Sequence, residues 1–165
     1  MRERLGRRWP VRFRCDRDGV HGQRTQRAYD ALVGKLDASI ILTHSQGGNF
    51  GLTAALHAPE RVKAVISLEP SGAPSADQND AAALRHVPHL FVWGDFLDQH
   101  SFWVDSVPKV RRWYDALVAA GADVEWIDLP ARGITGNSHA LMADDNSDAI
   151  AMIVHDWLRK RGLAI

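Results

Sequence analysis

The stretch Ser39-Ile40-Ile41-Leu42-Thr43-His44-Ser45-Gln46-Gly47-Gly48-Asn49-Phe50-Gly51 is a short apolar run that stops at a serine, followed by small residues and then a helical pattern. This is the layout of a strand, a sharp turn and a helix, in which the turn lifts a serine hydroxyl above the end of a sheet. Strand and helix approach so closely there that the positions two before and two after the serine must be small. They are Thr43 and Gly47. Thr43 departs from the usual glycine. Ser45 is the candidate nucleophile, and the backbone N–H of Gln46 is placed to donate to a developing oxyanion. Two blander readings compete: a serine after a buried strand also serves as a helix N-cap, and a glycine cluster at a helix start can cradle phosphate. Gly47-Gly48-x-x-Gly51 is not G-x-G-x-x-G, and no Gly-Lys-Ser/Thr follows, so both nucleotide fingerprints fail. No cofactor and no metal is expected.

Working outward, Ala28, Leu32, Val33 and Leu36 recur at helical spacing and predict a helix from about Thr25 that feeds a strand over 39–43. Beyond the turn, Leu52, Ala55 and Leu56 continue a helix that stops before Pro59. The near-continuous apolar run 62–68 reads as a buried parallel strand. A third strand is predicted over 89–93 and a fourth over 124–129, whose Glu125 and Asp128 suit a place near an edge. Between them, Val110, Trp113, Tyr114, Leu117 and Val118 form a helical stripe that Gly121 stops. A last helix has Ser147 as its cap, the stripe Ile150, Ile153, Val154, Trp157 and Leu158, and Gly162 at its end. Such alternation gives an α/β fold of about four parallel strands with helices on both faces.

The 165 residues suit one domain, here placed at 28–165, and a 45% hydrophobic, 24% charged composition is that of an ordinary globular protein. Twenty basic residues balance twenty acidic ones, so no global field draws nucleic acid or anionic membrane, and neither is expected as a partner. No apolar run approaches the roughly 20 residues that span a bilayer. The single cysteine, Cys15, excludes an internal disulfide. Residues 1–27 are a separate basic segment, with nine arginines against three acids. Arg7-Arg8 has no apolar stretch after it, so it is not read as a signal peptide, and a cytoplasmic location is expected by default. A basic arm for nucleic acid is the weaker reading of this segment. Val11, Phe13 and Cys15 alternate with Arg12 and Arg14 at period two, which suits a strand.

A serine nucleophile needs a base within hydrogen-bond reach and a carboxylate to orient it. His139, in a loop after the fourth strand with Gly133, Gly136 and Asn137, has the right place for the base. His44 abuts the serine but is expected to point elsewhere, and His57 and His155 lie within predicted helices. Three acids compete. Asp95 and Asp98 follow the third strand, and Glu69 ends the strand after the elbow helix. Phe96, Leu97, Phe102 and Trp103 are candidates to line an apolar substrate pocket.

Three segments together resemble a bacterial esterase family of the α/β-hydrolase fold: His44-Ser45-Gln46-Gly47, Ser67-Leu68-Glu69-Pro70-Ser71-Gly72, and Gly136-Asn137-Ser138-His139 with Leu141-Met142-Ala143-Asp144. The resemblance runs from about Ala28 to the C-terminus. It implies a carboxylic-ester hydrolase acting through a serine acyl-enzyme on a small-molecule ester, with Ser45 as nucleophile, His139 as base and Glu69 as acid. The family carries further strands and a second oxyanion donor upstream of the elbow. Val20-His21-Gly22 only faintly resembles that donor loop, so the chain looks like the C-terminal half of a hydrolase. The competing reading is an inactive hydrolase remnant or association module. With its outer neighbour missing, the elbow strand is expected to expose an apolar edge. Residues 11–15 or another chain, as in a homo-oligomer, would cover it.

Overall fold

The computed structural model describes residues 20–164, so the strand read over residues 11–15 lies outside the described residues. Helix α1 (Val20–Lys35) leads into strand β1 (Ser39–His44) and helix α2 (Gln46–His57). Strands β2 (Val62–Leu68) and β3 (His89–Trp93) follow, then helix α3 (Ser101–Ala119), strand β4 (Val124–Asp128) and helix α4 (Ser147–Arg159). The four strands form one sheet in the order β1-β2-β3-β4, all pairs parallel. The two central strands are the apolar runs of the sequence, and both of their faces are covered, as parallel strands require.

Period-two alternation divides the core into two layers. Val65, Phe91 and Trp93 point to one face and pack with Val33 of α1, Leu52 and Ala55 of α2, and Trp113 and Leu117 of α3. Ile66, Leu90, Val92 and Ile127 point to the other and meet Ile150, Val154 and Trp157 of α4. The C-terminal end of α4 is tied back to the sheet by Arg161, whose guanidinium donates twice to Asp123 at 2.7 Å and holds that carboxyl below its usual range.

Four local expectations change. Helix α1 is already formed at Val20, ahead of Thr25, and takes in Val20-His21-Gly22, which is therefore helical and not an oxyanion loop. Its inward stripe is Tyr29 and Val33, whereas Leu32 and Leu36 are 59% and 42% exposed, because α1 packs on α2 alone along that flank. Helix α3 begins at Ser101, so Phe102 and Trp103 sit in its first turn and Pro108 lies inside it. The His100 ring accepts the Phe102 N–H at 3.2 Å and supplies the cap. Ser147 is the first residue of α4, and Asn146 occupies the cap position without a side-chain capping bond, its amide donating to the Thr135 carbonyl instead.

The close approach at the elbow is resolved by glycine, though not where the spacing alone suggests. A Cβ on Gly47 would lie 3.6 Å from Thr43 Cβ, an ordinary contact, and its tighter neighbour is Tyr29 Oη at 3.2 Å. On Gly51 it would lie 2.8 Å from Thr43 Cγ2, so the threonine that departs from the pattern is absorbed one helical turn later. Gly48 is tighter still, with Pro70 Cβ at 2.4 Å.

Two stability consequences follow. Gly48→Ala drives its methyl into Pro70 and is expected to destabilise by about 1–3 kcal/mol, read as a lowered midpoint in chemical denaturation. His89 is fully buried, neither ring nitrogen has a hydrogen-bond partner, and burial lowers its pKa from 6.5 to about 4. The unfolded chain therefore takes up a proton near pH 6.5 that the folded chain refuses until about pH 4. Stability is full above the upper value and falls through this window by about 3 kcal/mol. His89→Leu should flatten that slope between pH 7.5 and 4.5 in denaturation series.

Candidate active site

Two strained backbone positions mark the site. Ser45 has φ 55° and ψ −124°, and Glu69 has φ 42°. Side chains other than glycine seldom adopt such angles, and they persist only where surrounding bonds hold them. Here the bonds are identifiable. Ser45 N–H donates to the Leu68 carbonyl at 3.1 Å, and the Ser45 carbonyl accepts from Gly48 N–H at 3.0 Å and Ser71 N–H at 2.9 Å. The turn after β1 is thus stitched to the end of β2. As the first residue of α2, Gln46 presents an N–H that has no partner within the helix.

Glu69 is 1% exposed and uses both carboxylate oxygens. Oε1 accepts from Gly94 N–H at 2.8 Å, and Oε2 lies 2.6 Å from His139 Nδ1. Gly94 is required at its position, since a Cβ there would sit 2.7 Å from Oε1. The opposite ring nitrogen, His139 Nε2, is 2.8 Å from Ser45 Oγ. A carboxylate only accepts, so the imidazole proton resides on Nδ1 and leaves Nε2 free to accept from the serine hydroxyl. Serine, imidazole and glutamate therefore form one continuous hydrogen-bonded chain at the carboxyl end of the sheet. Neither Asp95 nor Asp98 contacts the imidazole. Asp95 Oδ2 instead accepts from Asn137 N–H at 2.9 Å and from its side-chain amide at 3.2 Å, and Asp98 is exposed.

The loop that carries His139 is fixed residue by residue. Asp95 holds Asn137, which is fully buried. Asp144 accepts from Ser138 N–H at 2.7 Å and from its hydroxyl at 2.8 Å. His44 Nε2 lies 2.6 Å from the His139 carbonyl, and since a carbonyl only accepts, that nitrogen carries the proton. The His44 ring also lies against the His139 ring, with centroids 4.4 Å apart, while Trp103 approaches from elsewhere at 4.7 Å. His44 was expected to point away from the site and instead helps to frame it. Sequence reasoning missed these anchors, although Asn137 and Asp144 stood in the quoted motifs. Of the aromatics expected at a substrate pocket, Trp103 touches His139 and Phe102 packs on Trp103 at 4.9 Å. Phe96 is 57% exposed with a left-handed backbone, and Leu97 packs partly into the core.

Comparison with known proteins agrees with this architecture. Residues 35–99 match the family model of the α/β-hydrolase fold. The chain is 26% identical to the probable secreted lipase phiG of Fungal sp. (strain ATCC 74256) over 181 aligned positions, covering 82% of this chain and 50% of the lipase. It superimposes on a bacterial esterase solved at atomic resolution with a TM-score of 0.75 and 34% identity, covering 85% of this chain and 43% of that one. The chain thus spans about half the length of the curated relative that it matches.

The loop anchor can be tested without any substrate. His44→Phe keeps a ring against His139 but removes the donor to its carbonyl. It should cost on the order of 1 kcal/mol and speed hydrogen exchange selectively at the amides of residues 137–140.

Proposed function

We propose that the chain is an α/β-hydrolase of the esterase and lipase kind and that it hydrolyses carboxylic esters through an acyl-enzyme on Ser45. The observation that carries this reading is the unbroken chain from Ser45 Oγ through His139 to the buried Glu69, at 2.8 and 2.6 Å. In the first step Oγ attacks the ester carbonyl carbon as its proton passes to His139 Nε2. Glu69, already bonded to Nδ1, stabilises the imidazolium that forms and keeps the ring in the productive tautomer. Negative charge collects on the carbonyl oxygen, where Gln46 N–H is the proposed donor. Collapse of the tetrahedral intermediate expels the alcohol, which takes the proton from Nε2. A water then gives its proton to Nε2 and attacks the acyl-serine; collapse of this second intermediate breaks the bond to Oγ and releases the acid. Oγ takes the proton back from Nε2, which regenerates the hydroxyl of Ser45. Trp103, with Phe102 behind it, supplies an apolar wall beside the imidazole suited to the acyl or alcohol group of a small ester. No step calls for a cofactor.

The flank of β1, open among the described residues, favours a second reading, a hydrolase-like association module without turnover. Short-chain p-nitrophenyl esters separate the two. Ser45→Ala should lose at least as much turnover as Glu69→Gln, which should lose about 10⁴ in kcat by presenting the wrong tautomer. Asp95→Asn should retain turnover apart from the effect of a looser loop. Equal rates for the wild type and Ser45→Ala would favour the association module, and loss confined to Asp95→Asn would move the acid away from Glu69.

A further inference from the structure

Serine acyl-transfer sites hold the developing oxyanion with two donors, one on the residue after the nucleophile and one from a separate segment. Gln46 N–H suits the first place. Val20-His21-Gly22, being helical, does not fill the second. A candidate stands further along α1. Tyr29 is half-buried there and packs on Phe50 of α2, with ring centroids 5.5 Å apart. Helix α1 ends at Lys35, just before β1 starts, so it runs from the carboxyl end of the sheet towards the amino end. Helical side chains lean towards the N-terminus of their helix. The phenol therefore leans to the carboxyl end, where the serine turn lies. A Cβ on Gly47 would be 3.2 Å from Tyr29 Oη, nearer than to Thr43.

We propose that the Tyr29 hydroxyl is the second oxyanion donor, an inference that rests on the esterase reading of Ser45. Gly47 is bonded directly to Gln46, and both lie in the first turn of α2, whose leading N–H groups lack helical partners. Tyr29 Oη thus stands beside the turn that presents Gln46 N–H to the ester oxygen. Among the described residues this hydroxyl makes no hydrogen bond. Packing does not account for it. A phenylalanine ring would make the same contact with Phe50 and leave no half-buried hydroxyl to satisfy. A ligand oxygen is the partner that suits it. A carbonyl oxygen seated between Gln46 N–H and Tyr29 O–H accepts from both as Ser45 Oγ adds to the carbon. The phenol keeps its proton throughout, so the transfers through His139 Nε2 are unchanged. Its donation strengthens as the oxygen becomes an anion, so it acts on the transition state more than on the bound ester.

Tyr29→Phe removes the hydroxyl and keeps the ring. With p-nitrophenyl butyrate, kcat should fall by about 10²–10³ while KM stays close to that of the wild type. Circular dichroism and the denaturation midpoint establish that the variant folds. Gly47→Ala supplies a second, independent reading, since its methyl would crowd Oη at 3.2 Å. It should lower kcat by about tenfold in the otherwise unchanged chain and by less than about twofold when combined with Tyr29→Phe, because the group it displaces is then gone. If Tyr29→Phe keeps its kcat, or raises only KM, while Ser45→Ala loses turnover, the inference is overturned and the esterase reading stands. Equal losses from Gly47→Ala with and without Tyr29→Phe would overturn it as well. Equal rates for the wild type and Ser45→Ala would remove both.

Discussion

A buried carboxylate is the constraint on which the site depends. Glu69 sits at 1% exposure at the end of an internal strand, where an unpaired charge would be costly. Its two oxygens are taken up by Gly94 N–H from the end of β3 and by His139 from the loop after β4. One side chain therefore binds the ends of β2 and β3 to the loop after β4. Its backbone is held at a positive φ that only such over-determination sustains. Gly94 has no alternative, because any Cβ would occupy the space of the carboxylate.

Around that carboxylate the molecule divides its labour between rigid and stitched parts. The serine turn is rigid because β1, β2 and α2 leave no room: glycines at 48 and 51 admit Pro70 and Thr43 at contact distance. The histidine loop is packed through the buried Asn137 and is also stitched by Asp95, Asp144 and His44, each closing a bond to a successive residue. Preorganisation of this kind is what acyl-transfer chemistry requires, since positioned groups do not have to reorganise as charge develops. The sheet itself supplies the common frame, with the site at its carboxyl end, the expected location in open α/β folds.

The strands and the order of the helices were legible in the sequence because each has a simple periodicity. The runs 62–68 and 89–93 were predominantly apolar and became the two central strands, and the stripe Val110, Trp113 and Leu117 became a buried helical face. Errors arose where the neighbour of an element, and not its own period, decided the outcome. Leu32 and Leu36 fit a helical stripe, but the single helix beside α1 takes up Tyr29 and Val33 instead. The first turn of α3 was hidden because a ring of His100 caps it and Pro108 interrupts its pattern.

By itself the sequence determined the α/β class, the strand sequence along the chain and the three residue types whose spacing suits nucleophile, base and acid. Those are one-dimensional properties, set by periodicity and by the small residues that a sharp turn demands. Which carboxylate meets the imidazole was not fixed by position along the chain, since Asp95 and Glu69 both end strands; only the motif resemblance pointed to Glu69, and the lateral register of β2 against β3 puts Glu69 on Nδ1 and gives Asp95 to Asn137. The part played by His44 was out of reach, because a ring beside a serine in the chain gains its partner from a loop ninety-five residues away.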